Sequence, residues 1–252
     1  MSKPRCIRCV ILLLMACGDD TAPDTGPDYD GGLAIDGGPA APDASFDGGP
    51  PGDGGSPGPV TANACRTWAE GLDDENDGAT RDFYNRGVGL RWRNYLGDWL
   101  DQGGLEQGDV PYASASLTDD DTSETASFDV TALVQRWVDD GVPNRGFFLR
   151  GLSGGPFRFG SRESADESLR PRLLLQTVDG EDVRDPSADT HLRASTFQSA
   201  GQADELVIRD GEGALIRFDL EDLADGSVES ATLELTSVAE FGGGIEVGVF
   251  EA

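Results

Sequence analysis

The 252-residue chain has one lysine, Lys3, and one histidine, His191, so beyond Lys3 its fixed cationic side chains are all arginines. Its 19 basic residues stand against 47 acidic ones, for a formal net charge of −28. A chain this acidic repels nucleic-acid phosphates and anionic membrane surfaces, and both are disfavoured as general partners. Acidic polysaccharides are disfavoured in the same way unless arginines gather locally. Cysteine is scarce: Cys6, Cys9 and Cys17 lie at the front, and Cys65 alone follows. Once the front is removed and Cys17 is acylated, no internal disulfide or cysteine-based metal centre can form. His191 has no cysteine partner, no G-x-S-x-G nucleophile motif occurs, and acidic pairs are too common for one to stand out. No catalytic residue is therefore assigned, and the chain reads as a protein that is not an enzyme.

The front of the chain is informative. Lys3, Arg5 and Arg8 precede an apolar run at residues 10–15 and then Leu14-Met15-Ala16-Cys17. The run is too short to span a bilayer, which takes about 20 residues. The pattern resembles a bacterial lipoprotein signal over residues 1–16, with Cys17 left to carry the lipid. An ordinary secretory signal is the alternative. Gly18 in place of Asp implies an outer-membrane or cell-surface address, with the bilayer engaged through Cys17. Residues 17–61 are rich in Asp, Gly, Pro and Ala, and nine aspartates at 19, 20, 24, 28, 30, 36, 43, 47 and 53 meet no basic residue. Such a stretch buries too little apolar surface to offset the entropy of ordering and reads as a disordered linker.

Residues 62–252 carry strand signals. Polar and apolar residues alternate from Ser127 to Val130, and Asp129 or Thr131 is placed to cap a short helix. Leu133, Val134 and Trp137 give that helix one apolar face. Gly141 ends it, and Pro143-Asn144-Arg145-Gly146 turns the chain into the next strand. Further strands are predicted at 190–194, 205–209, 214–220, 228–236 and 244–250, with Asp210-Gly211-Glu212-Gly213 as a hairpin turn between two of them. A polar bridge at 179–187 divides the region. The expected fold is all-β, a jelly-roll-like β-sandwich with one short helix, preceded by the signal peptide and the linker.

Five pieces stand in a specific order: FDVT at 128–131, the amphipathic run ending at Trp137, PNRGF at 143–147, FGSRES at 159–164 and RPRL at 170–173. Together they resemble the closing half of the DNRLRE domain, also described as carbohydrate-binding module family 96. ADT at 188–190, ALIRFDL at 214–220 and VESATLELT at 228–236 resemble that family's opening half, and CRTWAEG at 65–71 with GAT at 78–80 its middle. The closing half, 62–178, thus precedes the opening half, 188–252. One circularly permuted domain and two incomplete modules are the competing explanations. Two half-sandwiches would each expose an apolar face and open strand edges, so one permuted domain is expected. The resemblance implies a non-catalytic module that binds polysaccharide or a cell-surface glycan. The alternative is a structural or adhesive surface module without a soluble ligand.

Within residues 90–99, LRWRNYLGDW, the aromatics Trp92, Tyr95 and Trp99 alternate with Arg91 and Arg93. Aromatic faces stack on sugar rings, and guanidinium groups donate paired hydrogen bonds to hydroxyls or carboxylates, which makes this the leading glycan-binding candidate. The three aromatics do not keep one strand parity, so at least one is expected in the core. Arg145, Arg150, Arg158 and Arg162 form a fallback cationic stripe. Asp73, Glu75 and Asp77, followed by Gly78, place oxygens at alternate positions and are candidates for structural Ca²⁺. An EF-hand is excluded, since its twelfth position would be Tyr84.

Overall fold

Alternating side chains build the body. The computed structural model describes residues 67–72, 77–118, 124–239 and 244–252. Two short strands, β1 (Phe83–Asn85) and β2 (Leu90–Arg91), pair with each other. After them come β3 (Ala113–Leu117), β4 (Thr125–Asp129), helix α1 (Thr131–Asp139), β5 (Phe147–Gly154), β6 (Phe157–Gly160), β7 (Arg172–Thr177) and β8 (Gly180–Arg184). The remainder supplies β9 (Ala188–Leu192), β10 (Glu205–Ile208), β11 (Gly213–Arg217), β12 (Val228–Ala239) and β13 (Ile245–Glu251). One sheet has the order β3-β13-β5-β11-β9; the other runs β10-β6-β12-β7-β8, with β4 also paired to β12. Every strand pair is antiparallel. This is an all-β sandwich with one short α-helix among the described residues.

Phe147, Leu149, Ala214, Ile216, Val247 and Val249 point from the five-stranded sheet into the space between the sheets. They meet Phe128, Phe159, Leu173, Leu175, Leu233 and Leu235 from the other sheet. Helix α1 adds Leu133, Val134 and Trp137, whose ring lies 4.9 Å from Phe147. The helix begins where the Asp129 carboxylate accepts from the Thr131 N–H and hydroxyl, which holds that carboxyl below its usual range. These carboxylate bonds supply the local polar partner that the first turn lacks internally.

The opposite face of the five-stranded sheet is buried as well. Phe148, Leu192, Leu215 and Phe250 lie under Trp68, Tyr84 and Leu96, with Trp92 and Trp99 half-buried beside them. The result is a sheet apolar on both faces, the reason β9, β11 and β13 read as nearly continuous buried runs. Leu215 therefore belongs to this covering layer, whereas Phe218 joins the inter-sheet core 6.0 Å from Phe147.

Two local expectations change. Residues 179–187 are not merely a bridge, because β8 forms there and pairs with β7. Its polarity suits an edge strand with little to bury, and Val183 is exposed. The turn at 210–213 forms, with the Glu212 N–H on the Arg209 carbonyl, but β10 and β11 enter different sheets. Parity explains the crossing: Leu206 and Ile208 reach the core from one side, Ala214 and Ile216 from the other.

Strands from both sides of β8 share both sheets. β13 lies between β3 and β5, and β12 pairs with β4, β6 and β7. The Trp68 indole donates to the Arg145 carbonyl, and the Ala252 N–H donates to that of Gly146. The first and last described segments thus meet at one dipeptide. Gly146 has φ +94°, and a Cβ there would lie 2.4 Å from the Ile216 carbonyl oxygen, so glycine is required. The signal at 1–16 with Cys17, the linker at 17–61, Cys65, Asp73 and Glu75 lie outside the described residues.

Candidate functional site

The 3-10 turn Arg86–Val88 and Gly89, at φ +74°, reverse the chain so that β2 returns beside β1. Phe83 then pairs with Arg91, whose guanidinium lies 4.6 Å from the Phe83 ring centre. Arg86 lies 5.4 Å from the same ring and 5.7 Å from that of Phe197. Arg81 stacks 3.6 Å over Phe197 and lies 6.0 Å from Tyr95. Tyr95, Arg81, Phe197, Arg86, Phe83 and Arg91 therefore form a surface ladder in which rings and guanidinium groups alternate. Backbone carbonyls pin it: Arg81 and the Tyr95 hydroxyl both donate to Ala194, and Arg86 donates to Phe197.

Tyr95 and Phe197 keep 57% and 48% of their surface in solvent, enough to present a ring to a ligand. Arg81 pairs with Asp82 at 3.4 Å, while Arg86 and Arg91 meet no carboxylate among the described residues. Among the described residues, a guanidinium group without a carboxylate partner is available to an anionic or hydroxyl group. Ring faces can stack on a sugar, and guanidinium groups can bind its carboxylate, sulfate or hydroxyl oxygens.

Tyr95 and Arg91 of the sequence-derived group join this ladder, and the others serve elsewhere. Trp92 donates its indole N–H to the Thr80 carbonyl and packs 5.7 Å from Tyr84. Trp99 donates to the Gly108 carbonyl and stacks 5.2 Å from Phe148, with the Arg150 guanidinium 4.8 Å from its ring. Arg93 pairs with Glu106. The fallback arginines are engaged with acids: Arg150 with Asp109, Arg158 with Glu205, and Arg162 with Glu70 and Glu163, while Arg145 acts electrostatically on Glu251. Asp77 accepts from the Leu72 N–H and the Ser199 hydroxyl.

Arg81, Phe83, Arg86 and Phe197 are absent from the sequence-derived group. Arginines at 81, 86, 91 and 93 in so acidic a chain are the signal that points to the first three. Phe197 reaches them only through the fold. His191 lines a cavity of about 370 Å³ with Arg158, Arg193 and Arg209. Its Nε2 accepts from Arg193, and burial with these three arginines pushes its pKa down to about 3. It is neutral at physiological pH.

Residues 75–175 match the family model for the disaggregatase related repeat domain, a β-rich repeat family. The match runs from the segment before β1 into β7 and includes Tyr95, Arg81, Arg86, Phe83 and Arg91 of the ladder. No curated protein and no solved structure matches the chain.

Proposed function

We propose that the protein is a non-catalytic carbohydrate-binding module, held at the cell surface by a lipid on Cys17. The ladder from Tyr95 to Arg91 carries the reading. It offers accessible ring faces beside two arginines that meet no carboxylate among the described residues, the chemistry for a glycan bearing carboxylate or sulfate groups. The finer family reading is a DNRLRE-type sandwich with its halves in permuted order. Support comes from the order of the sequence pieces and from the interleaving of strands before and after β8. The matched 75–175 stretch supplies β3 to β6 and most of β7, but not β13, which sits between β3 and β5, or β12, which sits between β6 and β7.

The test is a glycan array with neutral, carboxylated and sulfated polysaccharides, followed by titration of the retained class. Phe197→Ala and Arg86→Gln remove one exposed ring and one guanidinium charge, and each is expected to weaken binding roughly tenfold or more. Unchanged affinity in both, with the fold retained, removes the ladder as the site. Retention of no polysaccharide favours the structural or adhesive module instead.

A further inference from the structure

Glu70, Glu163 and Asp189 come from three distant parts of the chain and bring their oxygens within 4.8 Å of one another. Glu70 precedes β1, Glu163 follows β6, and Asp189 lies in β9. Four of the six carboxylate oxygens have donors. Glu70 Oε1 accepts from the Asp189 N–H at 2.8 Å and from Arg162 Nε at 3.1 Å, and Glu70 Oε2 accepts from Arg162 Nη2 at 2.8 Å. Glu163 Oε1 receives Arg162 Nη2 at 2.7 Å, and Asp189 Oδ2 receives the Arg162 backbone N–H at 2.7 Å. Glu163 Oε2 and Asp189 Oδ1 are left, both buried and both without a donor. Asp189 as a whole is 0% exposed, so water cannot satisfy its bare oxygen.

A buried acceptor without a partner is costly, and an ionised one more so. Three carboxylates around one bonded guanidinium leave two negative charges, which a divalent cation would offset. We propose that Asp189 Oδ1 and Glu163 Oε2, with Glu70 as the third carboxylate, bind a hard divalent cation, Ca²⁺ in the first instance. Oxygens on one Ca²⁺ at 2.3–2.6 Å lie at most about 5 Å apart, which the observed span satisfies. The all-oxygen donor set disfavours soft metals, and Ca²⁺ tolerates irregular coordination better than Mg²⁺. Glu70 and Glu163 side chains keep 19% and 18% exposure, leaving a solvent side from which water completes the shell. The ion would tie the segment before β1 to the end of β6 and to the edge strand β9. This site uses none of the residues 73–78 and does not depend on glycan binding.

The rival occupant is one proton shared by the two bare oxygens. Burial raises both carboxyls, that of Asp189 to about 8, with the neighbouring acids adding to it. The experiment uses the full chain, freed of metal by chelation and titrated with CaCl₂ under calorimetry and thermal unfolding. Ca²⁺ at a hundredfold excess over Kd is expected to raise Tm by roughly 5–10 °C. Glu163→Gln, which keeps shape and removes charge, should abolish that shift, while Asp77→Asn should retain it. Loss of the shift in Asp77→Asn alone would move the ion to the acidic loop and overturn the proposal. So would absence of any Ca²⁺ response together with a Tm that falls as pH rises from about 4 to about 8. That direction identifies the proton, because a carboxyl raised on folding gives stability that is lost as pH rises through its folded value.

Discussion

The inter-sheet core and the layer laid over the outer face of the five-stranded sheet both rely on aromatic side chains, but to different ends. Between the sheets, Phe147 of β5 packs against Trp137 of α1 and against Phe218 just past β11, and Phe157 packs against Phe159 in β6. In the covering layer the chain runs mostly as loops, and its carbonyls need other partners. Three indoles supply them: Trp68 to Arg145, Trp92 to Thr80 and Trp99 to Gly108. The phenylalanines between the sheets contribute burial, while the indoles of the irregular layer also satisfy backbone acceptors. Further out, at Tyr95 and Phe197, the rings are partnered by guanidinium groups and remain open to solvent.

The largest expected effect tests whether the two layers are one cooperative unit. β13 gives Val247 and Val249 to the inter-sheet core and Phe250 to the covering layer, and β12 is the strand that β4, β6 and β7 share. A chain ending at Val178 lacks both strands and is expected to show no cooperative unfolding by circular dichroism. A sharp transition in that truncation would separate the layers.

Next is Phe147→Ala. The ring is 0% exposed and touches aromatics on two sides, so urea titration should show a loss of about 3–5 kcal/mol. Trp92→Phe should cost less. It keeps most of the apolar contact with Tyr84 and removes one donor from the Thr80 carbonyl, for about 1–3 kcal/mol. No measurable loss in Trp92→Phe would mean that the indole N–H bonds contribute little and that both layers rest on packing alone.

The sequence made the regular layers legible and the irregular one only in part. The strands at 205–208, 228–239 and 245–251 lie where alternation and turn residues put them, and Leu133, Val134 and Trp137 mark α1 through their spacing. β8 escapes this reading because an edge strand of mostly charged residues has no apolar side to alternate. The layer that Leu215 joins is hidden in the sequence because a sheet buried on both faces loses the contrast between inside and outside. For the site, a local cluster of arginines and aromatics pointed to Tyr95 and Arg91. Trp92 and Trp99 look the same in sequence, yet their indoles bond to carbonyls that only the folded loops bring near. The Arg81–Phe197 stack joins residues more than a hundred positions apart, and no local spacing encodes it.

The outermost strand of the six-stranded sheet, β8, has a further consequence. One side pairs with β7; the other has no strand partner among the described residues and lies beside Glu181 and Asp182. Arg184 spans Asp182 and both carboxylate oxygens of Asp222, fastening the end of the strand to the loop after β11. A second copy of the chain seeking to extend the sheet at this margin would have to bring acid against acid and displace that clamp. Charge and the Arg184 clamp together guard this margin against edge-to-edge stacking.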